Sequence, residues 1–152
     1  MTSLFPIVFS LLAVGAGFLF PFQASVNSLL ARGIGGPIAA TTISFAVGLV
    51  VLIAANLVVF RQIPTFADLV RQPPSLLISG GTIGTIYLGV SVFLAPRIGA
   101  SALLCLVVAG QLLGALVIDR FGLFGLAMRE LSFGRLTGVL LVLVGALMVR
   151  LA

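Results

Sequence analysis

Gln23 and Asn27 stand four residues apart in "PFQASVN" (21–27), inside an otherwise apolar N-terminal run. On a helix that spacing puts both amides on one face. Each amide carries donors and acceptors, and leaving it unpaired in hydrocarbon costs roughly 2–7 kcal/mol, so the pair must face protein, water or a solute. Pro21 has no amide hydrogen to give the carbonyl of Gly17, which favours a bend at that turn. Two readings stay open: hydrogen-bonding glue between helices, or a site that contacts a polar solute.

Other polar residues at membrane depth are few. Gln111 lies in "VVAGQLLGAL" (107–116), between Gly110 and Gly114, where backbones can come close. Tyr87 is the one tyrosine, and its hydroxyl needs a partner. Each suits solute contact or a structural role. Asp119 and Arg120 close the fourth apolar run, as a plain interfacial ion pair or as a proton or substrate gate. No acid lies in the middle of any run, so a buried carboxylate that trades a proton for a cation is missing. The chain has no histidine, no metal-ligand cluster and no phosphate loop; "GIGG" (33–36) lacks the strand and downstream acid of a dinucleotide fingerprint. Neither enzymatic function nor a metal or cofactor is expected.

The elements that must position these residues follow from composition. Of 152 residues, 61% are hydrophobic and 7% charged, too few polar groups to cover a water-soluble domain. An all-α integral membrane protein is expected. The net charge of +5 comes from eight arginines against Asp68, Asp119 and Glu130. The arginines fall singly at the ends of apolar runs, where they meet phospholipid headgroups of the bilayer rather than nucleic acid. Cys105 is alone and reads as a packing residue.

A span needs about 20 apolar residues. Five runs qualify, at about 4–31, 37–60, 75–95, 100–118 and 131–152, making one transmembrane domain over 1–152. The first lacks a positive leader and is too long for a signal peptide, so it reads as a retained helix. Pro96, Arg97 and Gly99 are expected to form a tight turn, and the fourth helix to stop at Asp119. "RQIPTFADLVRQPP" (61–74) suits one amphipathic turn in the interface, and "DRFGLFGLAMRE" (119–130) a headgroup-level connection. With five spans, the N-terminal side collects Arg61, Arg71, Arg120, Arg129 and Arg135 and the other side Arg32, Arg97 and Arg150. That bias weakly favours an inside N-terminus and is compatible with dual topology.

Helices in lipid pack through small residues. Four-residue spacings of this kind include Ser44 with Gly48, Gly80 with Gly84, Gly110 with Gly114 and Gly134 with Gly138. "SGGTIGT" (79–85) in particular is expected to be pressed by a neighbour, since Gly80 and Gly81 together weaken a helix. Five helices leave little room around a solute path, and a second, inverted copy would complete the wall.

The segments "QASVNSLLARGIGGPIAATTISFAVGLVVL" (23–52), "PRIGA" (96–100) and "AGQLLGALVIDRFG" (109–122) resemble the YdcZ-like five-helix bacterial inner-membrane family of the drug/metabolite transporter superfamily (EamA-like). The resemblance covers almost the whole chain. It implies an antiparallel homodimer forming a ten-helix, inverted-repeat transporter bundle in the bacterial inner membrane, and it places recurring polar positions on Gln23, Asn27, Gln111 and Asp119. Small multidrug exporters of that superfamily use a first-helix glutamate for proton-coupled cation export; here Gln23 and Asn27 occupy that helix instead. The leading expectation is a dimeric transporter of a neutral polar or zwitterionic metabolite, bound between the two first helices, with Phe18, Phe20, Phe22 and Phe45 as apolar walls or lipid contacts. A small dual-topology channel and a non-transporting assembly subunit are the alternatives.

Overall fold

The computed structural model describes residues 5–61 and 64–151, so Leu4 and Ala152, at the outer ends of the expected first and fifth spans, lie outside it. Six α-helices follow in order: α1 (Phe5–Gly33), α2 (Pro37–Ala55), α3 (Phe66–Val70), α4 (Pro74–Ile98), α5 (Ala100–Phe121) and α6 (Phe133–Leu151). A π-helical turn, Asn56–Phe60, extends α2, and a 3-10 turn, Leu123–Gly125, follows α5. Five helices, all but the short α3, are long and apolar enough to cross a membrane, α2 together with its π-helical turn. Large apolar side chains such as Phe18, Leu29, Val50, Ile83 and Leu141 stand exposed on them, as lipid-facing residues must.

Two compact units divide the chain at Pro96 and Arg97, close to the end of α4. In the first unit α1 turns into α2 through Gly35 and Gly36, whose φ values of 96° and 112° suit glycine, and the N–H of Gly36 donates to the carbonyl of Ala31 at 2.9 Å. Pro37 then opens α2, where its missing N–H costs nothing. The short turn makes α1 and α2 antiparallel neighbours. Contacts of α4 fix its direction: Phe20 meets Tyr87 and Ser28 meets Val92 further along, so α1 and α4 run the same way. Ala31, Ala40, Leu88 and Val92 form the small core where the three helices meet. Alanines supply seven of the ten buried apolar residues among the described residues, because small side chains let helices approach in lipid.

In the second unit α5 and α6 pack as an antiparallel pair, with Asp119 beside Arg135 at one end. Gly122, at φ 58°, ends α5; a Cβ there would lie 2.6 Å from Met128 Cγ and 3.0 Å from the Leu126 carbonyl oxygen. The chain folds back tightly there, and the N–H of Arg129 donates to the carbonyl of Asp119 at 2.8 Å.

Several boundaries differ from the sequence reading. Pro96 and Arg97 do not form the turn; α4 carries both and runs on to Ile98, and the break falls at Gly99, whose φ of 81° only glycine adopts easily. A proline close to a helix C-terminus interrupts only one backbone bond, which the flanking turn tolerates. Nor do Asp119 and Arg120 stop α5, because side-chain charge does not end a helix and the left-handed Gly122 does. The connection 61–74 does contain one helical turn, α3, opened by a capping box between Thr65 and Asp68.

Candidate functional site

The polar residues of α1 are sorted by their positions around the helix. Asn27 is 4% exposed, and the hydroxyl of Ser44 on α2 donates to its Oδ1 at 2.6 Å. Its Nδ2 is buried without a hydrogen-bond partner among the described residues. Gln23, one turn earlier, is exposed and lines a groove of about 320 Å³ with Ser44, Phe45, Gly48, Leu49, Leu52 and Leu88. Ser44 therefore joins the two amides: it bonds Asn27 on one side and faces the groove of Gln23 on the other. The walls are otherwise apolar. Such a groove can hold a small molecule by its apolar surface and orient it through one amide and one hydroxyl.

Three further hydroxyls lie close by and were missed in the sequence, where single serines and threonines in apolar runs carry no signal. Ser28 Oγ lies 2.8 Å from the Ala24 carbonyl and 2.9 Å from the Val92 carbonyl on α4. Thr41 and Ser91 are 2% exposed, and each donates to the carbonyl four residues back, Pro37 and Tyr87. Self-bonding of this kind lets a hydroxyl sit in an apolar core without a partner helix.

Tyr87 is half-buried, its ring 5.2 Å from that of Phe20, which ties it to α1 below Gln23. The rings of Phe18 and Phe22 meet at a tilt, 5.1 Å apart, and are exposed, while Phe45 lines the groove. The helix is continuous through Pro21, with Gly17 exposed, so the turn keeps helical form despite the missing N–H. Gln111 is exposed on α5, in the second unit.

Asp119 pairs with Arg135 at 3.2 Å, not with its chain neighbour Arg120, which is exposed. Adjacent helical residues point about 100° apart and cannot face each other, whereas Arg135 lies on the packed face of α6. The pair's side chains are each 34% exposed.

The small-residue expectations divide in the same way. A Cβ at Gly84 would meet the Phe45 ring at 3.6 Å, but at Gly80, Gly81, Gly110 and Gly114 it would meet no atom of the described residues within 4 Å. Of the three glycines in "SGGTIGT", Gly84 is thus the one that a side chain of its own unit approaches, the ring of Phe45 on α2.

Comparison with known proteins places these helices in a family. Residues 8–148 match the family model described as "Putative inner membrane exporter, YdcZ". Over 104 residues, 68% of each chain, the sequence is 31% identical to the Inner membrane protein YdcZ of Escherichia coli (strain K12). No solved structure matches the chain.

Proposed function

The chain belongs to the YdcZ family of multi-pass inner-membrane proteins, with a transporter-like role, and from that premise we propose that it exports a small neutral polar or zwitterionic solute through a site centred on Gln23. One observation carries this reading: Gln23 and Ser44 share an apolar groove at membrane depth, backed by the buried amide of Asn27. Neither group is charged, so selectivity rests on hydrogen bonds. Gln23 offers both donors and an acceptor to a solute, Ser44 a hydroxyl, and Phe45 with Leu88 the apolar contact. Asn27 supports Ser44 from behind as a positioning residue.

In this proposal two copies, inverted relative to each other, bring their first helices together and close the grooves into one site. The weak arginine asymmetry permits both orientations in one membrane. Single-cysteine reporters at the exposed Ile34 and Ala127, in a Cys105→Ser background, test it. Each position should label from both faces of inverted vesicles and intact cells; labelling from one face alone removes the inverted arrangement.

The transport reading is tested in proteoliposomes loaded with a panel of neutral polyols and zwitterionic amino acids. Whichever solute the unaltered protein moves, Gln23→Leu should stop its flux while dimer formation persists. Undiminished flux would remove Gln23 from the site. A non-transporting assembly subunit is favoured by the Asn27–Ser44 bond, which ties α1 to α2 as interhelical glue. That alternative gains if Gln23→Leu dissociates the dimer and no member of the panel moves.

A further inference from the structure

The second unit carries a groove of about 400 Å³ between α5 and α6, separate in its residues from the solute site. Its mouth is the Asp119–Arg135 pair, and its floor is Leu112, Leu116, Gly138 and Val142. A Cβ at Gly138 would meet no atom of the described residues within 4 Å, so the glycine leaves that floor clear. One end is therefore charged and the rest apolar, the pattern of an amphiphile.

We propose that this groove binds one anionic phospholipid, with its phosphate on the guanidinium of Arg135 and an acyl chain along the floor. Depth supports that occupant. Asp119 lies in the last turn of α5 and Arg135 in the first turn of α6, which is headgroup level for two spanning helices. From Asp119 down to Leu112 the groove follows α5 for about 10 Å at 1.5 Å per residue, about two-thirds of a leaflet. A lipid chain descends through the same depth.

Charge supports it as well. Arg135 approaches Asp119 through one nitrogen, at 3.2 Å. The guanidinium has five N–H donors in a planar fork, so others are available to a phosphate oxygen. Arg120 and Arg129 stand exposed at the same end and Glu130 opposes them, giving three arginines against two acids. That single excess positive charge favours an anionic over a zwitterionic headgroup by about fivefold near the surface.

Native mass spectrometry of the full chain, released from micelles containing phosphatidylglycerol or phosphatidylcholine, reads the first lipid retained. Phosphatidylglycerol should be retained at about fivefold lower concentration. The variant Arg135→Gln, which removes the proposed phosphate ligand and leaves two arginines against two acids at this end, should lose that preference. Gly138→Leu should weaken retention of both lipids by filling the floor. Circular dichroism in the same micelles establishes that each variant is helical, and if one is not, the other still decides. Equal retention of the two lipids by the unaltered protein overturns the proposal. So does a preference that survives in folded variants, or one that only Arg120→Gln and Arg129→Gln abolish, since general surface charge would then explain it.

Discussion

Replacing Ser44 by alanine should destabilise the protein more than replacing Asn27, its buried partner, by leucine. The hydroxyl of Ser44 is the donor in the 2.6 Å bond, and Asn27 Nδ2 already lacks a partner. Ser44→Ala therefore leaves both ends of a 4%-exposed amide unpaired. Side-chain hydrogen bonds between membrane helices are worth about 0.6 kcal/mol on average and about 1.7 at most, while a newly unpaired buried acceptor costs about 1–3. A loss of about 1–2 kcal/mol is expected for Ser44→Ala. Asn27→Leu loses the same bond but also removes the unpaired Nδ2, and leucine has the same number and branching of side-chain heavy atoms. The Ser44 hydroxyl, released, can bond the carbonyl of Ala40 four residues back, as Thr41 does with Pro37. These effects offset, so Asn27→Leu should fall within about 1 kcal/mol of the unaltered protein. Reversible unfolding in mixed micelles of rising dodecyl sulfate fraction, followed by circular dichroism, measures both variants and the double variant. In the Asn27→Leu background, Ser44→Ala should cost less than about 0.5 kcal/mol, because the acceptor it served is gone. A larger loss for Asn27→Leu than for Ser44→Ala would refute the reasoning, since Nδ2 would then be making a favourable interaction.

Gly122→Ala should cost about 1–2 kcal/mol from left-handed backbone alone, with more from the clash with Met128, whereas Gly84→Ala should be tolerated because its Cβ meets Phe45 at an ordinary 3.6 Å; thermal unfolding compares the two. Asp119→Asn and Arg135→Gln should each change stability by less than about 1 kcal/mol, since the pair is one-third exposed and partly screened. Hydrogen bonds from the Thr65 hydroxyl and then the Thr65 N–H hold the Asp68 carboxyl below its usual range. A lowered folded value means that the α3 cap is intact above the ordinary carboxylate pKa and is lost only as pH falls through that lower value. Thr65→Val should return the Asp68 titration, followed by its carboxyl carbon shift, toward the ordinary carboxylate range.

The spans were legible because a run of apolar residues is a direct consequence of the solvent around it, and Gln23, Asn27 and Asp119 stood out as exceptions to that rule. Their partners were not legible. Ser44 appeared only as a small residue beside Gly48, and Arg135 only as a charge near the start of the last helix. Both depend on which face of one helix meets another, and nearly uniform apolar sequences have no periodicity from which to read it. Helix ends failed for a related reason. Asp119 and Pro96 look like stops, yet the backbone ends where a glycine takes positive φ, at Gly122 and Gly99.

The serine at the crossing of α1 and α4 makes that contact easy to undo. Ser28 has one proton and two carbonyls within reach, Ala24 on its own helix at 2.8 Å and Val92 across the crossing at 2.9 Å. If α4 withdraws, the proton stays with Ala24 and the Ser28 hydroxyl is not stranded in hydrocarbon. Separating α1 from α2 is different, because Asn27 Oδ1 then loses the donor it has. The helix triplet thus has a fixed seam and a releasable one, and rearrangement within the first unit should open along the latter.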